Sequence, residues 1–190
     1  MHIHSIYPVF INYKRYDIVI LKILGARQLV DIGELPSRLI DIEWPKEEGA
    51  VKKRTFELVG RSRINGKPMN MSRIDEVVTI GSAEIWEIRD LRSEMYHNFH
   101  VHGIHFAVLE LNGKQSPDHL RGWKDTVFLP SESSASIIAR FDVHAGANTP
   151  LMYHCHTLMH EDQGMMGQFI VVAPGADSEG HSETHLEHVH

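Results

Sequence analysis

The sequence predicts an all-β protein with the architecture of a Greek-key β-sandwich. Short segments rich in branched and aromatic residues show the period-2 alternation of half-buried strands, whereas helical periodicity is scarce. Turn-forming pairs such as Asn65-Gly66, Gly81-Ser82 and Asn112-Gly113 separate these segments at intervals typical of a sandwich or barrel. The clearest strand candidates are residues 16–24, 83–91, 106–111 and 136–143.

The chain is expected to have four parts. Residues 1–30 hold about two strands, too few to close a core of their own. In residues 31–52, Pro, Gly and charged side chains interrupt the strand pattern, which predicts a linker. Residues 53–174 suffice for a sandwich of about seven or eight strands. Residues 175–190 are small, polar and rich in histidine, which favours a flexible tail with solvated side chains.

Composition excludes several classes of protein. The 190 residues carry 19 Lys+Arg against 25 Asp+Glu, a net charge of −6, and lack the basic surface that nucleic acid requires. No stretch approaches the roughly 18 apolar residues of a membrane span, and Met1–Asn12 does not have the pattern of a signal peptide. One cysteine, Cys155, excludes an intrachain disulfide.

Histidine is the strongest functional signal. Most of the 15 histidines fall in residues 97–105, 154–160 and 181–190. In the first group His100 and His102 are two apart, so on a strand both side chains would leave the same face. His97, three residues earlier, would sit at the start of that strand with its ring pointing elsewhere.

The second histidine group repeats this pattern around the single cysteine. His154 and His156 flank Cys155, so on a strand the two imidazoles would point to the face opposite the thiol. A His-x-His pair by itself is weak evidence in a chain rich in histidine, but these two pairs together with the spacing of the Cys, His and Met residues described next indicate a metal site.

A second set of soft donors can converge on the thiol. His160 follows Cys155 by five residues and Met165 by five more, so both reach it if the chain loops back after the strand. With His97 they make two imidazoles, one thiolate and one thioether, the donor set of a blue-copper site. Zinc is the competing metal, but structural zinc sites usually have several thiolates.

Three stretches resemble the C-terminal cupredoxin domain of multicopper oxidases, most of all the bacterial laccase-like cuprous oxidases. They are His97-Asn-Phe-His-Val-His-Gly, Gly122-Trp-Lys-Asp-Thr-Val127 and His154-Cys-His-x-x-x-His-Glu-Asp-x-Gly-Met-Met. The resemblance covers about residues 53–173. It implies type 1 copper at His97, Cys155, His160 and Met165, a type 2 ligand at His100, and type 3 ligands at His102, His154 and His156.

Two acidic residues and four methionines have weaker assignments. The resemblance implies that Glu161 relays protons to oxygen, although a surface carboxylate is an equal alternative. Asp125 is expected to accept the N–H of a ligand imidazole, or else to serve a turn at a strand end. Four methionines are expected to pack rather than to load copper: Met69, Met71, Met152 and Met159.

The resemblance also implies that half of the histidine ligands of a three-copper cluster come from outside residues 53–173. The four histidines expected at types 2 and 3 are half the ligands of the family's three-copper cluster; an N-terminal domain with two His-x-His motifs supplies the rest. Here the other His-x-His sequences are His2-Ile-His4 and His188-Val-His190, at the termini. Residues 1–30 resemble the end of a preceding cupredoxin domain. We therefore expect a partner chain or domain with two such motifs, or a homo-oligomer.

Three functions fit the sequence. The first is the electron-accepting part of a copper oxidase that uses oxygen and a small reducing substrate, either a cuprous or ferrous ion or a phenol. The second is a free-standing blue-copper electron carrier, and the third a non-catalytic copper-binding remnant. The family implies an extracytoplasmic or periplasmic location, although no signal peptide is visible.

Overall fold

The computed structural model describes residues 8–13, 16–21, 43–91, 95–120, 122–143, 145–146 and 148–176. The chain divides into two compact units, Met1–Ile42 and Glu43–His190. In the first, strands β1 (Pro8–Tyr13) and β2 (Tyr16–Leu21) pair as an antiparallel hairpin. These are the two strands predicted for the N-terminal extension. Several predicted features lie outside the described residues: most of the 31–52 linker, the tail from residue 177 onward, and His2, His4, His188 and His190.

In the described part of the second unit the fold is almost entirely β-structure, with two sheets and one five-residue α-helix. No described helix is long and apolar enough to cross a membrane. The elements are β3 (Ala50–Val59), β4 (Arg63–Ile64), β5 (Glu76–Thr79), β6 (Ala83–Asp90), β7 (His97–Val101), β8 (Phe106–Leu111), β9 (Lys114–Gln115), β10 (Thr126–Leu129), β11 (Ser134–Arg140), β12 (Leu151–Cys155), α1 (Leu158–Asp162) and β13 (Met166–Val172).

The two sheets confirm the predicted β-sandwich. One has five strands in the order β10-β7-β12-β13-β5, and the other six in the order β4-β3-β6-β11-β8-β9. The pairs β13–β5 and β3–β6 are parallel and the remaining pairs are antiparallel. Strands far apart in sequence therefore become neighbours, and β7 lies beside β12.

Aromatic side chains from both sheets form the centre of the core. The ring of Phe56 on β3 lies 4.6 Å from that of Trp86 on β6, within one sheet, and 4.8 Å from that of Tyr153 on β12, across the sandwich. Trp86 also contacts Phe169 on β13 at 5.7 Å, edge to face. All four rings are buried, so the inward faces of the two sheets are joined by large apolar contacts.

A buried ion network reinforces this junction. The Arg54 guanidinium on β3 donates to the Glu84 carboxylate at 2.5 and 2.9 Å and also to Glu76 on the facing sheet. The Trp86 indole N–H donates to the same Glu84 carboxylate at 2.9 Å. Because each buried charge has charged and hydrogen-bonding partners, the cost of burying it is offset.

The sandwich begins earlier than predicted. Residues 50–52, assigned to the linker, belong to β3, where Ala50 pairs with Ala83. Their neighbour β4 pairs only with Leu58 and Val59. The start of β3 thus has one edge that no described strand covers, and its charged side chains are exposed, so the sequence pattern there resembles that of a linker.

Gly167 on β13 gives Tyr153 its place in the core. A Cβ at Gly167 would lie 2.7 Å from Cε2 of Tyr153 and closer still to Cζ and the hydroxyl oxygen. Tyr153 is 2% exposed and cannot swing away, because aromatic rings surround it. Position 167 therefore requires glycine for reasons of space.

We predict that Gly167→Ala lowers the free energy of unfolding by about 1–3 kcal/mol, the usual cost of overpacking a core. Urea unfolding of the metal-free chain, followed by tryptophan fluorescence, measures this. Gly49→Ala is the matched control, since nothing lies within 4 Å of its added Cβ. Equal midpoints for the two variants would show that the core accommodates the methyl group.

Candidate metal centre

A group of three buried donors lies where β7 and β12 run side by side. His97 begins β7 and Cys155 ends β12. The Cys155 Sγ lies 3.5 Å from Nδ1 of His97 and 3.5 Å from Nδ1 of His160, and the two imidazole rings are 5.0 Å apart. All three residues have 0% exposure. The structure thus brings together the three strongest donors of the predicted type 1 set.

The segment after β12 turns back on itself, as the spacing predicted. Helix α1 carries His160, and Gly164 then adopts a φ of +91°, a left-handed conformation that favours glycine. The chain returns so that the Cys155 N–H donates to the carbonyl of Met165 at 3.1 Å. Met165 has no exposed surface. The fourth predicted donor therefore has a buried side chain, on a residue whose backbone is hydrogen-bonded to that of Cys155.

Burial keeps the two imidazoles of this group neutral. It lowers the pKa of His97 to about 4, although the Asp90 carboxylate opposes the shift, and it also lowers the pKa of His160. At neutral pH both rings have a lone pair available for a metal ion without competition from a proton.

The donor set fits copper. The three ligand atoms lie within 4.8 Å of one another, and they comprise one thiol and two imidazole nitrogens in a site closed to solvent. A thiolate with two imidazoles suits copper, and the thioether of Met165 is buried in the same core, whereas a structural zinc site would usually need more thiolates. The site can hold one ion, and the buried surroundings would then influence its reduction potential.

Four further histidines gather beside this group. His100 on β7 pairs directly with His154 on β12, and their rings are 5.2 Å apart. The ring of His102 lies 5.0 Å from His100, and that of His156 lies 5.3 Å from both His100 and His154. His102 sits in the turn after β7 rather than on the strand, yet it still joins the group. His156 is exposed, so the cluster opens toward the surface.

Hydrogen bonds orient these rings. The Nδ1–H of His100 donates to the Asp125 carbonyl at 2.8 Å, which leaves Nε2 as the lone-pair atom. The Nδ1 of His154 lies 3.3 Å from the Cys155 carbonyl, and its Nε2 faces Nε2 of His102 at 3.0 Å. Burial lowers the pKa of both His102 and His154. Neutral imidazoles with nitrogens facing each other form a pocket suited to a cation.

The two predicted catalytic carboxylates, Asp125 and Glu161, both lie near the histidine cluster. The group that orients His100 is the backbone carbonyl of Asp125 and not its carboxylate, which was one of the two roles expected for this residue. The carboxylate is exposed and accepts the Thr126 hydroxyl at 3.0 Å, while its Oδ1 lies 3.9 Å from Nδ1 of His100. The Glu161 carboxylate lies 3.5 Å from Nδ1 of His154, so it contacts the cluster and is also partly exposed.

Sequence reasoning was wrong about two methionines and missed one acidic residue. Met71 and Met159 are 76% and 42% exposed, so they do not pack in the core as predicted. Asp90 places Oδ1 3.6 Å from Nε2 of His97, with both side chains fully buried. The alternation along β6 was the available signal, because it puts Asp90 on the same face as Trp86.

The sandwich, the buried thiol group and the adjacent histidine cluster together define a copper-binding domain of the cupredoxin type. The family model for multicopper oxidases matches residues 45–175, and the chain belongs to that family. Copper is accordingly its cofactor.

Known proteins agree with this assignment. Over 112 residues the chain is 43% identical to the multicopper oxidase mco of Staphylococcus aureus, covering 57% of this chain and 24% of that protein. It is 33% identical over 155 residues to the cell division protein FtsP of Sodalis glossinidius, covering 81% and 31%. The structure of the laccase-like multicopper oxidase CueO from Ochrobactrum sp. matches with a TM-score of 0.71 and 37% identity, covering 83% of this chain and 39% of that one. The chain thus spans about a quarter to a third of these curated relatives.

We predict that the copper-loaded chain is intensely blue and that Cys155→Ser abolishes the colour. A thiolate bound to copper between two imidazoles gives strong charge transfer, and a hydroxyl of similar size cannot. Visible absorption during a copper titration measures this. His105→Ala, which changes an exposed histidine outside both groups, should keep the band. A blue Cys155→Ser variant would exclude Cys155 as the ligand.

We further predict that Met165→Leu retains the blue band but raises the reduction potential. Loss of an axial thioether destabilises the cupric form relative to the cuprous form. Redox titration followed at the blue band tests this. Met71→Leu is the control, since its exposed side chain lies outside the core. An unchanged potential in Met165→Leu would mean that its sulfur does not act on the ion.

Proposed function

We propose that this chain is the copper domain of a multicopper oxidase that accepts electrons at a type 1 site and shares in a three-copper cluster. The observation that carries the proposal is the covalent adjacency of the two sites. Cys155 belongs to the buried group, and its neighbours His154 and His156 belong to the open cluster. When bound, copper would supply one-electron chemistry, oxidising a small reducing substrate at the first site and reducing oxygen at the second.

The buried group would hold the type 1 ion. His97, Cys155 and His160 offer the donors, Met165 is the proposed axial group, and the core around them excludes water. Backbone bonds through Cys155 join this group directly to the imidazoles of His154 and His156. The chain therefore contains a short covalent connection between the proposed type 1 site, which accepts electrons, and the histidine cluster, where oxygen would be reduced.

The open group would hold part of the cluster. His100 is the proposed type 2 ligand, and His102, His154 and His156 are the proposed type 3 ligands. Glu161, which contacts His154, is the proposed proton carrier to this site. Because His156 is exposed and His100 and His102 are only partly buried, another surface can approach them. A partner chain or domain with two His-x-His motifs is the proposed source of the remaining ligands.

Two other functions are outcomes of the same test. A mononuclear blue-copper electron carrier is favoured by the completeness of the buried group, which needs no residue from elsewhere. One relative is named a cell division protein and not an oxidase, so a non-catalytic copper-binding role is kept as the other outcome. We also propose a location outside the cytoplasm, which the resemblance to the family implies.

We predict that the chain alone takes up about one tightly bound copper and one electron, without sustained oxygen consumption. Four histidines from one domain cannot enclose three ions. Oxygen uptake with a cuprous, ferrous or phenolic reductant, over a series of chain concentrations, tests this. Addition of a domain with two His-x-His motifs should start turnover, and His100→Ala should abolish it while His105→Ala should not.

The contrary results are equally clear. Sustained uptake by the isolated chain, lost in His100→Ala or His156→Ala, would show that the chain assembles a working cluster by itself. A blue chain that never turns over with any such partner would favour the electron carrier. A colourless chain would favour the non-catalytic role.

A further inference from the structure

A buried carboxylate stands behind one of the two imidazoles of the thiol group. Asp90 is the last residue of β6, and its Oδ1 lies 3.6 Å from Nε2 of His97, with neither side chain exposed. The other ring nitrogen of His97, Nδ1, faces the Cys155 sulfur at 3.5 Å. The imidazole therefore lies between a carboxylate on one sheet and a thiol on the other.

Asp90 is fixed independently of His97. Its Oδ2 accepts the N–H of Glu132 at 2.9 Å, and its own N–H donates to the carbonyl of Ser133 at 2.8 Å. The Ser133 hydroxyl donates back to the carbonyl of Pro130 at 2.5 Å, closing the turn, and Glu132 has a φ of +58°. A tight turn between β10 and β11 thus holds one carboxylate oxygen while the other faces the imidazole.

The second imidazole of the group provides a contrast. His160 also places Nδ1 3.5 Å from the Cys155 sulfur. Its Nε2 is buried and has no hydrogen-bond partner among the described residues. The two histidines therefore lie at the same distance from the thiol, but among the described residues only His97 has a carboxylate at its outer nitrogen.

A carboxylate that faces the outer nitrogen of a metal-binding imidazole fixes the ring and its tautomer and makes the ring a stronger donor. We infer that Asp90 is a positioning residue for His97, which keeps Nδ1 directed at the copper site and stabilises cupric over cuprous copper. The negative charge is also less costly to bury beside a site that gains a positive ion. The inference rests on the proposed function, since it requires copper at Cys155.

The test compares the unaltered chain with three variants by copper titration and by redox titration at the blue band. Asp90→Asn should bind cupric copper about 10- to 100-fold more weakly, with a higher reduction potential. Each tenfold loss specific to the cupric ion corresponds to about 59 mV. Glu132→Gln removes one negative charge from an exposed side chain on the same turn, and Ser133→Ala loosens that turn while keeping Asp90. Glu132→Gln should keep the wild-type potential, and Ser133→Ala should shift it less than Asp90→Asn does.

Nuclear magnetic resonance of the wild-type chain loaded with diamagnetic cuprous copper gives a second measurement, which does not depend on the folding of any variant. The Nε2–H of His97 should be observed downfield of that of His160, because only the former faces a carboxylate. Ring protons with equal shifts would overturn the inference.

The outcomes separate the two proposals. A blue wild-type chain whose Asp90→Asn variant keeps its potential and affinity would overturn the role of Asp90 and leave the proposed function standing. Equal shifts in Asp90→Asn and Ser133→Ala would also overturn it, because the turn and not the carboxylate would then be responsible. A wild-type chain without a blue band would overturn the proposed function, and this inference with it.

Discussion

The pairing of β7 with β12 is the constraint on which both candidate sites depend. It sets His100 opposite His154 and Cys155 opposite Phe99. The paired residues His100 and His154 are 54 positions apart in the sequence. Because side chains alternate along a strand, this single register sends the thiol into the sandwich and the flanking imidazoles to the other face. A shift of one residue would exchange the two faces and separate both groups of donors.

Much of this arrangement could be predicted from the sequence, because it follows from local spacing. The spacing of two residues between His100 and His102, and between His154 and His156 on either side of Cys155, predicted which side chains share a face. The return of Met165 followed from its distance to Cys155 once Gly164 allowed the turn. The start of the sandwich could not be predicted in the same way, since the pairing of Ala50 with Ala83 involves residues distant in sequence. The orientation of His100 by the carbonyl of Asp125 was also inaccessible, because backbone atoms carry no sequence signal.

Strand β6 shows how one inward face can serve both stability and the site. Its buried residues begin with Glu84, continue with Trp86 and Ile88, and end with Asp90. At one end the carboxylate pairs with Arg54 and helps to join the sheets. At the other it faces His97. Apolar residues between the two carboxylates keep water away from both. Each carboxylate therefore interacts with its partner at a low local dielectric constant, which strengthens the electrostatic attraction.

The segment from Cys155 to Met165 fixes the spacing of the donors that it carries. It supplies three of the four proposed type 1 donors, and backbone hydrogen bonds from Cys155 and Met165 close it. Because backbone bonds hold the positions of these donors, selectivity for the ion can come from their spacing. The same fixed spacing leaves little tolerance for changes in length. One residue added or removed within α1 before His160 would rotate that imidazole by about 100° around the helix axis, away from the thiol. Substitutions in this segment can therefore tune the site, while insertions and deletions would dismantle it.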